Sequence, residues 1–305
     1  MKESPVNEDT NQLLPEELAP GEPGESLPIA RPSVEKRKVR ERGQMQEYLR
    51  ELNNYRGLFW MLTYRDIKVR YKQSVMGFLW AILMPVLIVM SGIVVRFAYA
   101  FTAHVPLNKA DIASVAVKSL PWAFLVSSIR FSCSSLINNK ELVTKIYFPK
   151  EIFPLAAVMA SLFDLFVASG ALLIFLFAIQ VGWSIQLLWA PLLLATIVVF
   201  ACGIGMIGSA AGLFFRDVKY IVEVILTFGI FFTPVFYDTR MFGDKAKWLL
   251  LNPVAPLLEG LSACVTHRSL PDPLWIAYSL AFSTAALVGG YLFFKRLEPA
   301  FAESI

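Results

Sequence analysis

The chain has 305 residues, of which 56% are hydrophobic and only 17% charged, and its mean hydropathy is +0.56. A soluble protein this apolar could not cover its surface with polar atoms, and the apolar residues are gathered into uncharged runs of about the length a bilayer core of about 30 Å requires. The net charge of +4 is unevenly spread, since 12 of the 28 Lys and Arg lie between Arg31 and Lys72. No nucleic-acid module surrounds that cluster, so nucleic acid is excluded as a partner and the cations read as a flank resting on anionic membrane lipid or meeting an acidic substrate. Cys133, Cys202 and Cys264 have no metal-like spacing and read as packing residues.

The first segment, residues 1–43, is acidic and proline-rich and then basic, a composition that predicts disorder and no cleavable signal peptide. From 44 to 73 the pattern turns helical. Leu49, Leu52, Tyr55, Phe59 and Leu62 recur at steps of three and four, which predicts an amphipathic helix in the membrane interface. Its end, RDIKVRYKQS (65–74), also alternates like a short strand. As a helix it puts Arg65, Lys68 and Lys72 on one face and sends Arg70 elsewhere; as a strand it aligns Lys68, Arg70 and Lys72.

The region 74–298 reads as one all-α integral membrane domain with six spans, at about 75–100, 119–138, 152–179, 187–215, 220–237 and 274–294. With the N-terminus in the cytoplasm, 12 Lys and Arg flank the inner ends and six the outer ends, which predicts both termini cytoplasmic. The stretch WLLLNPVAPLLEGL (248–261) is apolar but too short to cross and is broken by Pro253 and Pro256, so it predicts a re-entrant or interfacial hairpin on the outer side.

GIGMIG (203–208) matches a dinucleotide-binding fingerprint but sits inside the fourth span without a preceding strand, so it is not a nucleotide site. Gly208 and Gly212 instead predict a face where another helix approaches closely. Four charges fall inside spans: Arg96, Arg130, Asp164 and Glu223. Such groups face a bundle interior or a wet cavity. Arg96 is near enough to the outer end to reach the interface, while Arg130 and Asp164 are placed to pair across adjacent spans. There is no catalytic constellation, no metal spacing around His104 or His267, and no phosphate-binding G-x-x-x-x-G-K-[ST] loop. The residues therefore predict no enzyme site and no cofactor in this chain.

YRDIKVRYKQSVMGFLWAILMPVL (64–87), NNKELVTKIYFPKEIFPLAAV (138–158) and FFRDVKYIVEVILTFGIFFTPVFY with LLLNPVAPLLEG (214–260) resemble the permease subunit of type 2 ABC exporters. The likeness is strongest to polysaccharide, O-antigen and teichoic-acid exporters. It implies six transmembrane helices, a homodimer in the bacterial inner membrane, and a separate ATPase subunit that binds ATP and magnesium on the cytoplasmic face. The implied cargo is a glycan on an undecaprenyl-diphosphate lipid. A chain with spans and no ATP site needs a motor. The inner loop 138–151 is the expected docking element, through Asn139, Lys140, Lys145, Tyr147, Phe148, Pro149 and Lys150, with Leu142, Ile146, Tyr147 and Phe148 as apolar knobs. Arg65, Lys68 and Lys72 are the expected contacts for the lipid diphosphate, because cations at headgroup level suit that charge. The alternative is a permease of the same architecture that exports a small lipid or drug.

Overall fold

The computed structural model describes residues 55–72, 77, 79–145, 148–182 and 184–301. The tail expected over 1–43 and the first part of the amphipathic helix lie outside the described residues. Among the described residues there is no strand; the chain forms ten α-helices joined by short 3-10 and π turns.

The stretch that wavers between strand and helix is helical: α1 runs Arg56–Lys72. It packs along α5 (Ile152–Ala178), burying Leu62 with Phe59 and Tyr55 beside it. After it come α2 (Leu79–Ala103), with Pro85 inside, and α3 (Lys109–Asn138). Asp111 in the first turn of α3 accepts a hydrogen bond from the Asn108 amide at 3.0 Å, which satisfies a donor that helix starts leave orphaned. The helix therefore starts about ten residues ahead of the predicted span and takes in Lys118, which the sequence placed in an outer loop.

Five helical stretches are long and apolar enough to cross a membrane: Leu79–Ala103, Lys109–Asn138, Ile152–Ala178, Ile185–Phe214 and Pro273–Ala300. They contain α2, α3, α5, α6 (Ala190–Phe214) and α10 (Pro273–Leu297). The predicted fifth span is shorter than expected. Helix α7 (Val218–Phe232) has 15 residues, about 22 Å at 1.5 Å per residue. Pro234 is the cause: it disfavours helical backbone at the residue before it, and Thr233 is extended at φ −114 and ψ 136. Val235 and Phe236 then turn into the core.

The stretch 248–261 also breaks up. It contributes the end of α8 (Ala246–Leu250) and most of α9 (Ala255–Ser262), neither long enough to cross. Helix α9 is buried along nearly its whole length against α3, α6 and α10.

Helix α3 is the hub, touching α2, α5, α6, α7 and α9. Helix α6 comes especially near it, and GIGMIG explains the closeness. A methyl group on Gly208 would collide with the Cys133 sulfur, and one on Gly205 would stand 2.8 Å from the Ser132 side chain. On the opposite side of α6, a methyl on Gly203 would reach the backbone of Ala286 at 2.5 Å, so α10 packs backbone to backbone there. Gly212 meets the Cys133 carbonyl, 3.1 Å from where its Cβ would be. Glycines at these steps let α6 lie tightly between two helices.

Apolar burial forms two clusters. The larger surrounds Trp122, Leu125 and Ile129 of α3 with Val158, Leu193 and Leu257. The smaller joins Leu62, Phe148, Phe153, Met206, Phe294 and Phe301, where the start of α5 meets the end of α10.

Candidate functional site

Between the last turn of α1, the first half of α2, and the middles of α3 and α5 lies a cavity of ≈ 720 Å³. Its polar wall carries Arg70, Tyr71, Arg130, Ser161 and Asp164. Trp80, Met84, Ile88 and Phe131 supply the apolar wall.

Helical geometry at the end of α1 decides what enters this space. Arg70 turns inward, donating to Asp164 Oδ2 at 2.7 Å and to Ser161 Oγ at 3.3 Å, with its guanidinium 3.7 Å from the centre of the Phe131 ring. Tyr71 donates its hydroxyl to the other Asp164 oxygen. Burial pushes the Tyr71 phenol well above its usual range, and the hydrogen bond and negative charge of Asp164 add to the rise. Asp164 is thus held by two residues of α1 and pins that helix to α5.

The expected Arg130–Asp164 pairing is not what forms. Arg130 instead grips Glu223 of α7 with both nitrogens, Nε to Oε2 at 2.9 Å and Nη2 to Oε1 at 2.6 Å. Asp164 was already taken from within reach by Arg70, a residue the helix pattern sent away from the basic face without saying where. Arg130 and Asp164 still share one cavity wall.

Arg65, Lys68 and Lys72 do not line the cavity. Arg65 pairs with its neighbour Asp66 at 2.7 Å, Lys68 is exposed with its ammonium 5.8 Å from the Tyr64 ring, and Lys72 is exposed. The inward cation is Arg70.

Arg96 does not reach out to the interface. It is 5% exposed and turns inward to Asp238, with Asp111 3.8 Å away. Lys118, 0% exposed, completes the cluster, its ammonium donating to Asp238 Oδ1 at 2.6 Å, the Tyr237 carbonyl at 2.7 Å and Glu259 Oε1 at 3.3 Å. Three acceptors match its three protons. Burial pushes the Asp238 carboxyl up, but Lys118, Arg96 and the Ser114 hydroxyl outweigh it and hold the group well below the usual carboxylate range. This cluster ties α2 and α3 to the segment after α7. Its members other than Arg96 escaped the sequence reading because they sit in flanks and loops. A lone Lys inside the apolar run SVAVKSLPWAF was the available signal.

The loop after α3 is more folded than a free connector. Asn139 donates its side-chain amide to the Ser135 carbonyl at 2.7 Å, and Lys140 begins the short α4 (Lys140–Lys145). Phe148, expected as a projecting knob, is 6% exposed and packs edge-on against Phe153 at 5.4 Å, with Pro149 buried beside it. Phe148 is an aromatic large enough to fill the gap at the start of α5, which is why it turns in. Lys150 lies 5.6 Å from the Phe301 ring, and Glu151 is buried against Lys295 at 3.1 Å. Ile146, Tyr147 and the side chain of Lys145 lie outside the described residues.

Residues 57–265 match the model of the ABC-2 type transporter family. The chain belongs to that family. This ABC-2 protein is 31% identical to the O-antigen export system permease protein RfbA of Myxococcus xanthus over 86% of its own length and 100% of the relative's. It is 30% identical to a Klebsiella pneumoniae protein of the same name, over 80% of this chain and 93% of that one. The polysialic acid transport protein KpsM of Escherichia coli is 24% identical over 80% of this chain and 94% of its own. The matched stretch opens with α1 and includes the cavity, the Arg130–Glu223 pair and the Lys118 cluster. An ABC-2 transporter with five helices of spanning length is a multi-pass membrane protein.

Proposed function

We propose that this ABC-2 protein is the permease subunit of an ATP-driven exporter that moves O antigen, carried on an undecaprenyl-diphosphate lipid, across the bacterial inner membrane. The observation that carries the reading is the match over the whole length of an O-antigen export permease. The cavity supports it, because Arg70 and Arg130 stand beside Trp80 and Phe131, cations for a phosphate beside rings on which sugars stack. Half-buried Arg65 with exposed Lys68 and Lys72 then form an approach for the lipid diphosphate along the outer face of α1, which lies in the membrane interface.

The permease works as a homodimer with both termini in the cytoplasm, and its six crossings are the five long helices plus α7 with the extended residues after it. The segment 248–261 is a re-entrant hairpin on the outer side. A separate ATPase subunit, binding ATP and magnesium, docks on the loop 138–151 through Lys140, Lys145, Tyr147 and Lys150. Phe148 and Pro149 shape that loop from within.

Depleting this chain in cells that make O antigen should leave lipid-linked O antigen on the cytoplasmic leaflet and strip it from the surface. Unchanged surface O antigen overturns the reading, and retention of a small lipid or drug in its place would favour the alternative cargo.

A further inference from the structure

Helix α7 is lightly held. Of its 15 residues Leu226 alone is buried, while Tyr220, Val224, Phe228 and Phe231 are exposed. Its polar tie to the bundle is the bidentate bond from Arg130 to Glu223, and that pair is half exposed, at 48% and 46%. Arg130 also lines the ≈ 720 Å³ cavity, whereas Glu223 does not. One guanidinium therefore stands between a carboxylate on α7 and an open space.

That space has the shape of an amphiphile. It shares the lining residues Pro85, Leu120 and Ala168 with a second, almost wholly apolar recess of ≈ 150 Å³ that lies between α2, α3 and α5 and reaches Ile93 and Phe175. The polar end holds Arg70, Tyr71, Ser127 and Arg130.

We propose that Arg130 is a phosphate-sensing latch: a diphosphate-bearing lipid that enters the cavity takes the guanidinium from Glu223 and releases α7 from α3. The proposal rests on the reading that the cargo is a lipid diphosphate. The same planar fork binds a carboxylate or a phosphate with two parallel hydrogen bonds, and a diphosphate brings more negative charge than one carboxylate. The exchange strands no charge at the bilayer centre, because Glu223 lies in the second turn of α7, close to the headgroup layer at the start of the crossing. The half-exposed Arg130–Glu223 pair is more easily given up than the pairs of Lys118, whose ammonium has no exposed surface.

The test reads the spacing of α3 and α7 by paired nitroxide labels at Ile137→Cys and Tyr220→Cys, both exposed, with Cys133, Cys202 and Cys264 replaced by Ala. The full chain is reconstituted in nanodiscs with or without undecaprenyl diphosphate, and binding of the lipid is measured in parallel. The lipid should lengthen the distance, and inorganic pyrophosphate at the same concentration should not; an equal response to pyrophosphate overturns the lipid requirement. Glu223→Gln should give the long distance without ligand. Arg130→Gln should weaken lipid binding about tenfold or more, the scale of a lost charge-assisted bidentate contact. The charge swap Arg130→Glu with Glu223→Arg should keep the short distance and ignore the lipid. A swapped protein that responds like the wild type overturns the latch. Saturable lipid binding with no change in distance overturns the latch and leaves the cargo reading standing; no saturable binding overturns both.

Discussion

An ammonium group with no solvent contact, such as that of Lys118, keeps its charge only where acceptors replace its lost water. Removing it leaves Glu259 without its cation and Asp238 with Arg96 alone, both carboxylates mostly buried, and breaking a buried pair in this way costs about 3–5 kcal/mol. Lys118→Met should therefore lower the unfolding midpoint in detergent sharply, while Arg65→Gln, on an exposed pair, should shift it by less than about 1 kcal/mol. Asp238 gives the cluster a pH signature. Its folded carboxyl titrates below the unfolded value of roughly 3.9, so its contribution is complete above that pH and fades as the pH falls toward the folded value. The stability gap between wild type and Asp238→Asn should be wide at neutral pH and narrow below about pH 4; a gap that widens in acid would show that the cluster is not holding Asp238 ionised. Which residues meet in this cluster was not legible in the sequence, because its partners are separated by more than 100 residues. That Arg96 is a costly charge inside a span was legible, but the pattern sent it outward to the interface and not inward to Asp238.

At the scale of elements, periodicity reported what one helix does and missed what two helices do together. The stripe Tyr55, Phe59 and Leu62 identified the buried face of α1, and the spacing of Arg65, Lys68 and Lys72 identified its basic one. Gly208 and Gly212 announced a close approach, and the neighbour proved to be Cys133 of α3. Gly208→Leu should overfill that contact and cost about 1–3 kcal/mol or more, whereas the same change at Gly289, which has open space around it, should be mild. The loop 138–151 reads differently once its fold is known. Its apolar residues looked alike in sequence, but Phe148 belongs to the small core and Tyr147 does not enter the described structure. Phe148→Ala should cost about 3–5 kcal/mol of stability, as large buried aromatics do. Tyr147→Ala should reduce copurification with the ATPase or uncouple its hydrolysis from export. A Tyr147→Ala protein with normal export and an unchanged ATPase rate would reduce the loop to a connector.

At the scale of the whole molecule the number of crossings turns on α7, which hydropathy counted as a span and which length alone does not support. Ion pairs give the argument that length cannot. Lys295 near the end of α10 bonds Glu151 at the start of α5, and the Phe214 and Phe301 rings lie 6.0 Å apart, so the ends of α6 and α10 share one side with the start of α5. Asp238 bonds Arg96 in the second half of α2 and Lys118 in the first half of α3, which belong to the opposite side. The proposed sixth crossing then lies between Phe214 and Asp238, using α7 and the extended residues that Pro234 imposes; about 22 Å of helix plus up to ~3.3 Å for each extended residue is enough to traverse a core of about 30 Å. In the six-crossing arrangement proposed above, position 247 and the end of α10 lie on opposite faces, with 247 outside. A membrane-impermeant maleimide applied to sealed cells should label Lys247→Cys and spare Ser304→Cys and Lys140→Cys, in a background without the native cysteines. If α7 does not cross, position 247 falls on the cytoplasmic side and 304 outside, so protection of 247 together with labelling of 304 would refute the six-crossing arrangement.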